Sequence, residues 1–339
     1  MKAYEIGAQD GLGSLRAVER ANPVAGPGQA VLAVRKLCLN HRDMLVLKGT
    51  YGPRKPETRI PCSDGVGEVV AVGEGVTAVK PGDRVVCPHF VSWIGGDFAM
   101  SAFGSDLGIT LDGWLAEQIV VPAAALIVLP DTVSDEQAAT LPAAGLTAWQ
   151  AVVEVGKVKA GDLVLALGTG GVSILALQIA KMSGAQVAIT SSSDAKLAEA
   201  RKLGADFTVN YKTDPDWPAA LAKATGGRGA DIIVETGGLA TLSQSINAAA
   251  ANARIVLIGA LAGAAENPLP NFGTIIGKNL VIKGITEGSR EMLARFVTAV
   301  AANGLTPVID KRFPFADAAA AYAHLAAGDH MGKVMIEVG

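Results

Sequence analysis

The run Gly168-Thr169-Gly170-Gly171-Val172-Ser173 carries the clearest chemical signal in this sequence. The apolar segment Leu163-Val164-Leu165-Ala166-Leu167 precedes it, and Ile174-Leu175-Ala176-Leu177-Gln178-Ile179-Ala180-Lys181 follows. A buried strand that ends in small residues and turns at once into a helix presents free backbone N–H groups and a positive dipole end. Without side chains in the way, an anion such as a pyrophosphate can approach that backbone. Gly168, Gly170, Gly171 and Val172 are therefore the candidate phosphate cradle. Ser173 stands where a dinucleotide fingerprint usually carries its last glycine, so the motif alone is incomplete. Val172, Leu175, Ala176, Ile179 and Ala180 recur at helical spacing and supply a stripe for packing on a sheet.

A second group bears on which nucleotide fits. A carboxylate about twenty residues after the glycines would hold the adenosine ribose of NAD and repel a 2′-phosphate. Here the strand reads Val187-Ala188-Ile189-Thr190 and continues into Ser191-Ser192-Ser193, with no acid at its tip. Asp194 comes later, where a helix N-cap or first-turn acid belongs. The serine hydroxyls, with Lys196 in reach of the same patch, suit a 2′-phosphate. NADP(H) is the expected cofactor and NAD(H) the alternative.

The elements that must position these groups can be read from periodicity. Strand-like runs fall at 163–167, 186–190, 207–210, 231–235, 254–258 and 280–285, with helix-like runs at 194–203, 217–225 and 239–250. Such alternation predicts an α/β domain with a doubly wound parallel sheet. The earlier runs at 31–40, 67–72, 83–87 and 118–121 are β-rich and punctuated by Gly and Pro. Residues 88–112 are glycine-rich and aromatic-bearing, and read as a long excursion. A helix around 316–326 and a strand at 333–338 close the chain. The expected boundaries are a β-rich domain over 1–124, a nucleotide-binding domain over 125–286, and a segment over 287–339 that completes the first.

Bulk properties agree with two packed domains. The 339 residues are half apolar, include 40 glycines and are only 5% aromatic, as aliphatic parallel strands require. A net charge of −3 gives no reason to expect nucleic acid or an anionic membrane as partner. No membrane span is expected, and the start Met1-Lys2-Ala3-Tyr4-Glu5 lacks signal-peptide features. Cys38, Cys62 and Cys87 are odd in number and dispersed, which fits a reduced, cytoplasmic protein.

Further motifs appear in fixed order: Leu39-Asn40-His41-Arg42-Asp43, Gly73-Glu74-Gly75-Val76, Lys80-Pro81-Gly82-Asp83-Arg84-Val85, Leu141-Pro142-Ala143-Ala144-Gly145-Leu146-Thr147-Ala148 and Gly332-Lys333. With the mid-chain glycines, the chain resembles the medium-chain dehydrogenase/reductase superfamily, which includes alcohol dehydrogenases and quinone oxidoreductases, along essentially its whole length. The resemblance implies a β-rich GroES-like catalytic domain beside a Rossmann domain, a small-molecule substrate and a homodimer. It also exposes a departure. The catalytic zinc ligands of the alcohol dehydrogenases, a cysteine and the histidine of a Gly-His-Glu motif, fall on Asn40 and on Ser63 of Cys62-Ser63-Asp64. The region matching their structural-zinc lobe, 88–112, has no cysteine. A tetrahedral zinc needs three or four converging N or S ligands, so no metal is expected and the zinc-free quinone-oxidoreductase branch fits better. Cys38-x-x-His41, Cys62 and Cys87-x-His89 are the remaining source of metal ligands.

The resemblance further implies roles. Ser192, Lys196 and Tyr211 match residues that bind the 2′-phosphate. Thr147 matches a threonine on the nicotinamide side, and Gly259 and Leu261 match the segment that holds the carboxamide. Without zinc, an oriented donor must stabilise charge developing on a substrate oxygen, and the Asn40 amide is the leading candidate. Asn40 with Asp43 also reads as an N-cap followed by an acid at the third helical position. His41 either contacts cofactor phosphate or ribose, or fills space. Phe90 and Trp93 are candidate substrate-facing residues. The expected activity is zinc-independent hydride transfer between NADPH and a small carbonyl, enone or quinone. The alternative is a non-catalytic NADPH-binding structural or redox-sensing protein.

Overall fold

The aliphatic runs of the second half form a six-stranded parallel sheet in the order Phe207–Asn210, Gln186–Ser191, Leu163–Ala166, Ala230–Glu235, Ala249–Leu257, Val281–Gly284. The structure is a computed structural model and describes residues 1–259, 261 and 270–338. Leu163–Ala166, the first of these strands along the chain, is fully buried because helices cover both faces of a parallel sheet. Strand order reverses on either side of it, which opens a crevice at the carboxyl ends where the glycine turn lies. The helices are Gly171–Met182, Asp194–Lys202, Trp217–Ala224 and Leu239–Ala248. The last of these ends two residues earlier than the sequence pattern suggests. Ala249 turns to extended backbone and pairs with Ala230, while Lys278 Nζ takes the carbonyls of Ile246, Asn247 and Ala249. Alanines carry no local preference strong enough to resist that tertiary capture.

The β-rich part is a second sheet in the order Ile309–Pro314, Lys333–Glu337, Gln29–Leu39, Asp64–Val72, Arg84–Val86, Ile127–Val128, with Gln118–Pro122 also paired to Gln29–Leu39. Its core includes Leu32, Leu37, Leu39, Trp114, Leu115 and Tyr322. The chain divides into two compact units, one of Met1–Leu146 with the chain from Gly288 onward, the other of Thr147–Glu287. Residues 125–146, expected with the nucleotide domain, thus lie in the first unit. The cause is specific: Ile127–Val128 pairs with Arg84–Val86, and Asp135 receives hydrogen bonds from both Arg35 and Arg84.

Within 88–112, Phe90, Trp93 and Ala102 form a small core with Phe98 and Met292 packed against it. Among the described residues no helix is long and apolar enough to cross a membrane.

Candidate active site

The glycine turn has the form the sequence suggests. Gly168 adopts φ +76°, where side chains are strained, and a Cβ at Gly168 or Gly170 would meet nothing within 4 Å. Gly170 is the N-cap of Gly171–Met182 and offers no side-chain cap, so the first-turn N–H groups are not taken by a capping side chain. Ser173 is buried and its Oγ donates to the Leu167 carbonyl at 2.6 Å; Thr236 Oγ1 donates to the same oxygen at 3.0 Å. The hydroxyl in place of the usual glycine ties the helix to the strand end. The buried face of this helix is also wider than the stripe in the sequence, since Ile174 and Leu177 are buried too.

Ser192 and Tyr211 follow the carboxyl ends of two adjacent strands. Ser191 and Asn210 are register partners, and Tyr211 N–H donates to the Ser191 carbonyl at 3.1 Å. Ser192 is exposed just past its strand, Ser193 caps Asp194–Lys202, and Lys196 lies in that helix's first turn. Asp194 is engaged elsewhere: its Oδ1 accepts from Asn210 Nδ2 at 2.9 Å. Thr147 is buried in Leu146–Trp149. Gly259 runs so close to the Thr236 carbonyl that a Cβ would sit 2.8 Å from it, and Leu261 N–H donates to that same oxygen at 3.1 Å with its side chain exposed.

One acid in this unit escaped sequence reasoning. Glu235 is fully buried and accepts from Gly237 N at 2.8 Å, Gly238 N at 3.0 Å, Thr241 Oγ1 at 2.6 Å, and Ser245 Oγ. It fixes the turn that follows its strand. A lone carboxylate ending the aliphatic run Ile232-Ile233-Val234 was the available signal, because a buried carboxylate needs several donors.

Asn40 sits where three strand ends meet in the first unit. Register pairs Val334 with Leu39 and Cys38 with Asp64, which brings Lys333 and Ser63 beside it. Lys333 Nζ donates to Asn40 Oδ1 at 2.5 Å and to the Leu39 carbonyl at 2.8 Å. Asn40 Nδ2 donates to Ser63 Oγ at 3.2 Å, Ser63 Oγ donates to Asp64 Oδ1 at 2.8 Å, and Ala143 N–H donates to Asp64 Oδ2 at 3.1 Å. An ammonium only donates and a carboxylate only accepts. The two ends therefore fix the amide orientation, with oxygen toward Lys333 and one N–H left over. Asn40 is half-buried, whereas Ser63, Asp64 and Lys333 are buried.

The capping role is also present. Asn40 is the N-cap of His41–Leu47, where Asp43 Oδ2 accepts the Asn40 N–H at 2.7 Å and Asp43 N–H donates to the Asn40 backbone carbonyl at 3.0 Å. Burial, reinforced by Asp64, pushes the Asp43 carboxyl up to about 7 against the opposing influence of Arg42. His41 is exposed at the first helical position, and partial desolvation with the nearby Lys48 holds its imidazole below the ordinary value.

These donors do not fit zinc. Asn40 and Ser63 are hydrogen-bonded to each other, and an ammonium touches Asn40, a repulsive neighbour for a divalent cation. Burial raises the thiols of Cys38, to about 12, and of Cys62 and Cys87. Cys62 Sγ donates to the Cys38 and Asp64 carbonyls at 3.6 and 3.4 Å. Among the described residues no three His, Cys, Asp or Glu side chains converge as a metal site would require. Cys62 keeps φ +79°, a conformation suited to the glycine of the resembled Gly-His-Glu motif.

Arg42, next to His41, forms a buried cluster with the 88–112 segment. Arg42 Nη2 donates to Asp106 Oδ1 at 2.6 Å, and His89 Nδ1 lies 2.7 Å from the same oxygen. Arg42 Nη1 lies 2.6 Å from His89 Nδ1 and 3.2 Å from its Nε2, so guanidinium and imidazole crowd together on the one carboxylate. Burial alone would raise Asp106, but His89 and Arg42 hold it below the ordinary carboxylate value. Burial and the Arg42 charge keep the His89 imidazole low. Phe90 and Trp93, expected to face substrate, are buried in the small core beside this cluster, and Trp93 Nε1 donates to the Gly96 carbonyl at 3.1 Å. Their position is accounted for by packing.

Comparison with known proteins places this geometry in context. Residues 26–131 match the family model described as alcohol dehydrogenase GroES-like domain, and residues 171–302 match that described as zinc-binding dehydrogenase. A zinc-type alcohol dehydrogenase-like protein of Schizosaccharomyces pombe is 41% identical over 318 residues, covering 92% of this chain and 91% of its own. An NAD-dependent alcohol dehydrogenase of known structure superposes with TM-score 0.90 at 36% identity, over 100% of both chains. A mycobacterial protein solved in complex with NADPH superposes with TM-score 0.82 at 27% identity, again over 100% of both.

Proposed function

Since the chain belongs to the medium-chain dehydrogenase/reductase superfamily and is an oxidoreductase of that group, we propose that it transfers a hydride between NADPH and a small carbonyl, enone or quinone without zinc. The observation that carries this reading is the Asn40 amide, held between Lys333 and Ser63 at the position of a zinc ligand, with one N–H still to give. NADPH, when bound, supplies the hydride. The first-turn N–H groups after Gly168 and Gly170 hold its pyrophosphate, and Ser192, Lys196 and Tyr211 hold the 2′-phosphate. Thr147, Gly259 and Leu261 hold the nicotinamide end. Asn40 donates to the oxygen that gains negative charge, in place of a Lewis acid, and His41, next in the chain, contacts the cofactor. The three cysteines, all free and buried, support a reducing cytoplasmic setting. Stopped-flow oxidation of bound NADPH against a panel of aldehydes, enones and quinones tests the activity. Tight binding without oxidation by any class would instead favour a non-catalytic NADPH binder.

Three expected results bear on separate parts of this reading. Lys196→Ala should weaken NADPH by about tenfold to a hundredfold, the scale of a charge-assisted hydrogen bond of roughly 1.5–3 kcal/mol, and leave NADH unchanged. Equal weakening of both nucleotides in a fluorescence titration would remove Lys196 from phosphate recognition. The purified protein should hold no stoichiometric zinc by elemental analysis and keep its activity through chelation; one tightly held zinc whose removal abolishes turnover would overturn the zinc-free assignment. A homodimer is supported by the last strand of the parallel sheet. Val281 is half exposed on Val281–Gly284, and Phe272 and Ile276 in the helix Phe272–Gly277 are 73% and 74% exposed, an edge that invites pairing. Light scattering should give twice the chain mass, and Val281→Lys should return the monomer; a monomeric wild type would refute this.

A further inference from the structure

We propose that Lys333 is the positioning residue of the reduction site, a buried ammonium that orients and polarises the Asn40 amide for its donation to substrate oxygen. The inference rests on the Asn40 reading above. Lys333 is 3% exposed and far too enclosed to meet substrate itself. Its ammonium donates to the Leu39 carbonyl and to Asn40 Oδ1, and both acceptors are uncharged. Desolvating an ammonium is costly; the Asp43 carboxyl offsets part of that cost through space, but neither group the ammonium touches is charged, and a merely structural bridge between the two strand ends would be met by a neutral side chain at lower cost. What the charge adds is directional. A cation at the amide oxygen draws density from the amide nitrogen and makes Nδ2–H a stronger donor. It also forbids the flipped amide, which would point an NH₂ at an ammonium. Ser63 and Asp64 select the same orientation from the other side. A catalytic zinc would put a cation on the substrate oxygen directly; in this chain the cation acts one group removed, through a carboxamide.

Spectra of protein carrying ¹⁵N-asparagine, without any ligand, read the coupling first. The Asn40 Nδ2H₂ pair, identified by its loss in Asn40→Ala, should lie downfield in the wild type and in Lys333→Arg. It should move upfield in Lys333→Met, and also in Lys333→Gln, which keeps a donor but not the charge and so guards against a misfolded Met variant. Unmoved resonances in a folded Lys333→Gln would overturn the inference. Turnover of 9,10-phenanthrenequinone with NADPH reads the consequence. Lys333→Gln should lower kcat about tenfold with KM nearly unchanged, less than the ~10²-fold loss expected for removing the donor itself. In an Asn40→Ala background the same substitution should change nothing further; an undiminished second drop would place Lys333 outside the Asn40 path and overturn the proposal. Wild-type kcat in Asn40→Ala would instead overturn the oxyanion reading of Asn40, leaving the spectra to judge the Lys333–Asn40 coupling separately.

Discussion

Asn40→Ala should lower turnover about a hundredfold, the scale for losing one oxyanion donor, while NADPH still binds. The residues proposed to hold the pyrophosphate and the 2′-phosphate belong to Thr147–Glu287, whereas Asn40 is in the other compact unit, so the phosphate cradle should survive the change. Some stability should also be lost, because Lys333 keeps the Leu39 carbonyl but loses its second acceptor, and a buried donor left unmet costs roughly 1–3 kcal/mol. Asn40→Asp separates the two effects. A carboxylate beside Lys333 forms an ion pair, and the acceptor side of the amide is conserved. It cannot donate to Ser63, however, whose hydroxyl is already committed to Asp64. It also sets a negative charge where the substrate oxygen must gain one. Turnover should fall at least as far as in Asn40→Ala, with the fold less affected. Single-turnover stopped-flow, a NADPH titration and urea midpoints distinguish the quantities. If Asn40→Asp turns over normally, the amide is a cap and strand tie only, and the oxygen is held by another group.

Asp106→Ala should destabilise the protein by about 3–5 kcal/mol, the cost of removing one partner from a buried ion pair. Arg42 and His89 are 8% and 1% exposed and would be left as buried cationic and imidazole groups without their carboxylate. The loss should appear as a lower urea midpoint with an unchanged m-value. The sign of its pH dependence follows from the two partners. Asp106 is held below its unfolded value, so its contribution is full above about pH 4 and is lost as the pH falls through the folded value. His89 is also held low, so protonation near the unfolded value of about 6.5 already favours the unfolded chain, and its contribution too is lost on acidification. The wild type should therefore lose stability in acid; in Asp106→Ala the carboxylate part of that loss, below about pH 4, is gone, whereas the His89 part between the unfolded value of about 6.5 and its lower folded value grows, because Asp106 no longer raises the imidazole. Wild-type midpoints for Asp106→Ala across that range would show the cluster to be energetically idle. Because Arg42 is in the helix that Asn40 caps, the cluster also ties that helix to the 88–112 segment.

Much of this protein was determined by local sequence. The aliphatic runs of the second half became parallel strands within a few residues of their expected ends, since short stretches of Val, Ile and Leu flanked by helix-forming segments have few other ways to be buried. The turn after Leu163–Ala166 was legible because Gly168 alone supplies the positive φ it needs. Asn40 and Ser63 at the positions of zinc ligands were legible because they are identities and not geometries. The tertiary structure decided what depends on pairing between distant strands. Lys333 lies 293 residues from Asn40, and only the register of Lys333–Glu337 on Gln29–Leu39 sets its ammonium on that amide. Arg42 meets His89 and Asp106 across separations of 47 and 64 residues, so three ordinary polar residues became one buried cluster. Phe90 and Trp93 have the chemistry of substrate-facing aromatics, yet a core formed around them. Residues 125–146 joined the first unit through one strand pair and two arginines on Asp135. Local preference acts over a few residues and survives translation into structure. A charge gains its meaning from what the fold brings within hydrogen-bonding distance, and that is set by register across the sheet.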